Sequence, residues 1–149
     1  MILIWLKIKV AKLKSMNKFH DFLKYLFWTS FVVINALALS PAPDLPPLEI
    51  FNWWDKAQHA IAFAVLAVLA VLAYPQGAKL RIAFLLIVQG VMIEVLQYFL
   101  GYRYGDWQDA VADGVGVLLG LGLAEWLIRF KWFRRAYSVS STSSESLSS

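Results

Sequence analysis

Four stretches of about twenty predominantly apolar residues constrain this chain more than any other feature. They run from about Phe22 to Leu39, Ala57 to Tyr74, Ile82 to Tyr102 and Ala110 to Ile128. At a helical rise of 1.5 Å per residue, about 20 residues cross the hydrocarbon of a bilayer. The breaks between the stretches are rich in proline and glycine. Ser40-Pro41-Ala42-Pro43 ends the first, Pro46 and Pro47 keep the next loop extended, and Pro75-Gln76-Gly77 and Gly101 to Trp107 supply turns. Short loops force antiparallel neighbours. The expected fold is therefore all-α: an integral membrane protein with four transmembrane helices in an antiparallel bundle. With 149 residues there is no room for a separate soluble domain. Composition agrees, being 60% apolar and 16% charged, where a soluble domain has nearer about 50% and 25%.

Residues 1–18 are a basic N-terminal segment in which Lys7, Lys9, Lys12, Lys14 and Lys18 alternate with apolar residues. Its apolar run is too short to span, and it suits an anionic membrane face. Met16 offers a second start beside Met1. Residues 19–130 hold the transmembrane domain. Residues 131–149 are basic, then Ser-rich, and are expected to be disordered. Trp53 and Trp54 read as interfacial anchors and Asp55 as the N-cap of the second span.

The basic residues give an orientation. Lys7, Lys9, Lys12, Lys14, Lys18 and Lys24 precede or enter the first span, Lys79 and Arg81 follow the second, and Arg129, Lys131, Arg134 and Arg135 follow the fourth. Four spans put all of these on one side and leave Lys56 and Arg103 on the other. The positive-inside rule then places both termini in the cytoplasm. The pI near 9.4 is thus topological, and nucleic-acid binding is not expected. There is no cysteine, which excludes disulfides, thiolate metal sites and Cys nucleophiles.

Ionisable residues not explained by topology converge on the opposite, external end. Asp55, Lys56 and His59 enter the second span, with Asp55 and His59 four apart on one face. Glu94 and Gln97, three apart, lie in the outer half of the third span, and Glu94 is deep enough to need a partner or a proton. Asp106, Asp109, Asp113, Gly116 and Gly120 form one helical stripe. Its Gly116-x-x-x-Gly120 portion lets another helix approach closely, whereas packing needs no aspartate. Arg103 stands in the turn between the last two spans.

Several chemistries fit such a cluster. Lys56 and Arg103 suit a phosphate, with carboxylates orienting them. His59 or a protonated Glu94 suits acid/base work. Carboxylates and one histidine suit a metal, but Lys56 and Arg103 already bring positive charge, so neither a metal nor a cofactor is expected. An ion-pair network with no chemistry also accounts for the residues. No Ser or Cys stands near as a nucleophile.

Asp55-Lys56-x-x-His59, an apolar span, Glu94-x-x-Gln97, Arg103, Asp109, then Asp113-x-x-Gly116-x-x-x-Gly120 resembles the VanZ-like family over about residues 51–122. Many members carry Asn where this chain has Asp113. The resemblance implies an integral membrane protein of the bacterial envelope, in the cytoplasmic (inner) membrane. The family is named for a member associated with low-level resistance to the glycopeptide teicoplanin, so an effect on glycopeptide susceptibility is a further implication.

The function expected from the residues and the resemblance together is binding of a lipid-linked or cell-envelope headgroup at the outer-face cluster. The binding residues would be Asp55, Lys56, His59, Glu94, Gln97, Arg103, Asp106, Asp109 and Asp113, and Gly116 and Gly120 would pack helices. Membrane lipids, and a lipid-linked envelope precursor among them, are the expected partners. The first alternative is an enzyme using His59 and Glu94 on such a headgroup. The second is a small transporter, disfavoured because no helix is visibly broken at midplane.

Overall fold

A computed structural model describes residues 2–40, 49–101 and 106–130, except the side chains of residues 2–4, 6–8, 11–16 and 49–52. The turn carrying Arg103 and the Ser-rich tail lie outside the described residues. Four helices follow in order: α1 (Ile2–Ala38), α2 (Glu49–Ala73), α3 (Lys79–Leu100) and α4 (Trp107–Arg129). Each contains a segment long and apolar enough to cross a membrane: Asn17–Ala38, Trp53–Ala73, Lys79–Leu100 and Trp107–Arg129. The all-helical, four-span architecture is the expected one.

The helix ends refine the sequence reading. α1 runs unbroken from the basic segment into the first span. α2 begins at Glu49, soon after Pro46 and Pro47, which cannot sit inside a helix. Asp55 therefore lies within α2, and its expected role as an N-cap is corrected. α3 closes on Gly101 in the left-handed region (φ 73°), where its amide donates to the Gln97 carbonyl. α4 opens on Asp106, whose extended backbone and side chain cap the helix by accepting the Gln108 amide.

Contacts fix the up-and-down arrangement. Trp28 Nε1 donates to the Tyr74 hydroxyl at 3.0 Å, joining the middle of α1 to the end of α2. At the other end Gln97 of α3 donates to the Ala38 carbonyl of α1 at 2.9 Å. Lys79 at the start of α3 pairs with Glu125 near the end of α4. Neighbours in sequence thus run antiparallel, and α2 and α4 run parallel.

The α2–α4 contact is the most extensive in the bundle. Glycines are its cause. A Cβ added at Gly116 would run into the Ala60 backbone, and one at Gly120 into the Ala64 backbone and the Ala67 side chain. Only hydrogen at these two positions lets α4 lie this close to α2. Around the seam, Phe63, Leu66, Ala67, Leu86, Ile93 and Val117 form the buried core. Large apolar side chains such as Val32, Phe84, Phe99 and Leu118 point outward from three helices. A soluble protein does not tolerate such a surface, but a bilayer solvates it.

Candidate functional site

The end of the bundle where α2 and α4 begin and α1 and α3 finish collects the polar groups. Asp109 and Asp113 occupy the same α4 stripe as Gly116 and Gly120, so the close approach of α4 to α2 carries both carboxylates inward. Asp109 is 6% exposed and Asp113 only 1%. On α2, the four-residue spacing of Asp55 and His59 brings His59 toward them.

The cluster has two layers. In the outer one, Lys56 Nζ donates to Asp106 Oδ2 at 3.1 Å and lies 3.5 Å from Asp109 Oδ1. Asp106 lies outside the spans, and the Gln108 amide together with the Lys56 ammonium holds its carboxyl below the usual aspartate range. In the deeper layer, His59 Nδ1 stands 3.0 Å from Asp113 Oδ1. Glu94 reaches in from α3, and its Oε2 accepts the Asp106 backbone N–H at 2.8 Å. Ligand-type atoms of His59, Glu94 and Asp113 all lie within 4.8 Å of one another, as do those of Asp55, His59 and Asp109. His59 belongs to both groups.

Beside the cluster, a groove of about 450 Å³ runs between α1, α2 and α3. Val33, Ile34, Leu37, Ile61, Val65 and Ile93 make its walls apolar, and Asp55, Gln58 and His59 line it too. Polar cluster and apolar groove therefore share side chains.

The VanZ/LLP1 family model matches residues 2–129, nearly the whole chain. The chain belongs to the VanZ/LLP1 family. No curated protein and no solved structure matches it. The membrane-protein character that the sequence resemblance implied is thus shared by family and fold alike.

Within this VanZ/LLP1 protein, Asp55, Lys56, His59, Glu94, Asp106, Asp109 and Asp113 come together at one end. Gln97 is 1% exposed and its amide is engaged with the Ala38 carbonyl, where it ties the end of α1 to α3. Arg103 lies outside the described residues. The sequence reading missed Gln58 and Gly90. Gly90 is one turn before Glu94, and a Cβ there would lie 2.7 Å from Asp113 Oδ2. Its signal was available, since a glycine four residues from a buried glutamate shares that residue's face. Asn35 and Gln89 were also missed, and their side chains hydrogen-bond between α1 and α3.

Proposed function

We propose that this protein sits in the bacterial cytoplasmic (inner) membrane with the polar cluster at the external face, where it binds the headgroup of a lipid-linked or envelope molecule. The observation that carries this reading is the continuity of the cluster with the apolar groove. A lipid has a charged end and a long apolar end, and here the residues for each are adjacent. Lys56 supplies a cation for a phosphate, with Asp106 and Asp109 orienting it. The groove accommodates part of an acyl or prenyl chain. The distribution of Lys and Arg supports the external placement, because Lys79, Arg81 and Arg129 lie at the opposite end. An effect on glycopeptide susceptibility follows if the bound molecule belongs to the cell envelope.

The test is thermal stabilisation of the purified protein by defined lipids in detergent. A single-chain phospholipid should raise the melting temperature, and an uncharged lipid of equal chain length should not. Lys56→Gln should remove the difference. Val65→Trp, which fills the groove from α2, should remove stabilisation altogether. Equal responses to both lipids in the parent would refute the headgroup reading.

One observation favours a second reading, an enzyme acting on such a headgroup. The His59–Asp113 contact fixes the imidazole as a base is fixed by an orienting carboxylate, with Glu94 beside it. Headgroup turnover by the parent, lost in His59→Ala, separates this reading from binding alone.

A further inference from the structure

The deeper layer of the cluster carries more acid than its surroundings account for. Glu94 and Asp113 are 8% and 1% exposed. Glu94 Oε1 and Asp113 Oδ2 are both buried without a hydrogen-bond partner among the described residues. Neither residue makes an ion pair with a Lys or Arg among the described residues. Lys56, the cation at this end within that set, engages the outer layer at Asp106 and Asp109. Two carboxylates brought this close inside an apolar bundle repel each other and lose hydration. The His59 imidazole answers Asp113 Oδ1 and the Asp106 amide answers Glu94 Oε2, which leaves Glu94 Oε1 and Asp113 Oδ2.

The donors are arranged as a ligand set. His59 from α2, Glu94 from α3 and Asp113 from α4 present one atom each within 4.8 Å of the others. Three helices converge on one point, and the α2–α4 glycine seam holds two of them in register. Imidazole nitrogen with carboxylate oxygen, and no thiolate in the chain, suits a first-row divalent cation such as Zn²⁺ or Mn²⁺.

We infer that His59, Glu94 and Asp113 form a binding site for a divalent metal cation, and that Asp55 and Asp109, whose carboxylate oxygens lie within 4.8 Å of a His59 ring nitrogen, flank it. The cation answers both orphaned oxygens and gives one shared centre to three helices that the His59–Asp113 contact and the bond from the Asp106 amide to Glu94 link only pairwise. The inference goes beyond the headgroup reading and is independent of it, because metal binds with or without a lipid.

The experiment uses the full chain, purified in detergent, stripped with chelator and dialysed against Zn²⁺ or Mn²⁺ alone. Metal analysis should find about one ion retained per chain, the stoichiometry of a single His/carboxylate site, and the melting temperature should rise with metal. Glu94→Gln and His59→Gln should each weaken binding by about 100-fold or more, since even the outer partners of metal ligands cost about 10–100-fold. Glu125→Gln, at the far end of the bundle, should bind as the parent does. A parent chain that retains no metal and melts unchanged in its presence overturns the inference without recourse to any variant. Retention that survives both ligand substitutions in monodisperse protein also overturns it.

Discussion

Glu94 Oε2 accepts the backbone amide of Asp106 at 2.8 Å, so a buried carboxylate of α3 holds the residue that caps α4. The bond ties the start of α4 to the interior of α3, well before that helix ends at Leu100. It also fixes where the α4 stripe starts, and hence where Asp109 and Asp113 fall.

The acceptor, rather than the charge, is what this bond requires. Glu94→Gln keeps an oxygen in place and should fold with a melting temperature close to that of the parent in metal-free detergent. Glu94→Leu strands the Asp106 amide and should cost about 1–3 kcal/mol. Thermal unfolding of both variants checks this. A Leu variant as stable as the Gln variant would show that the amide finds another acceptor.

Glycines on α4 divide into two kinds. Gly116 and Gly120 face the Ala60 and Ala64 backbones, whereas Gly114 and Gly122 face open space. Gly116→Leu or Gly120→Leu should drive α4 from α2 and destabilise by at least the roughly 1–3 kcal/mol typical of overpacking. Gly122→Leu should melt with the parent. If all three variants melt alike in detergent, the glycine seam does not hold the bundle.

The spans and the α4 stripe were legible because both depend on local spacing. Apolar runs of membrane length need no knowledge of neighbours, and offsets of three, four and seven residues define a helix face wherever that face points. Partnerships were less legible. Lys56 could have been matched with any of several carboxylates, and its choice of Asp106 and Asp109 depends on how closely α4 approaches α2. The role of Asp55 was misread because the sequence marks where a helix can start but not which candidate start is used, and α2 begins at Glu49. Gly90 was overlooked because its importance lies across the bundle, against Asp113. The groove needed three helices in place before it existed.

Orientation sets the meaning of the site. An alkaline phosphatase reporter, active only outside the cytoplasm, should be active when fused after Pro47 or Tyr104. It should be silent when fused after Gln76 or Tyr137. The reverse pattern would put the cluster in the cytoplasm and remove external envelope precursors as ligands.

The proposed function requires polar cluster and groove together to hold one lipid. Native mass spectrometry of protein extracted gently from its own membrane reads this directly. The parent should carry a bound phosphate-bearing lipid, strongly reduced in Lys56→Gln and absent in Val65→Trp, with both variants folded. A parent that flies without lipid, or one whose bound lipid persists through both substitutions, would contradict it.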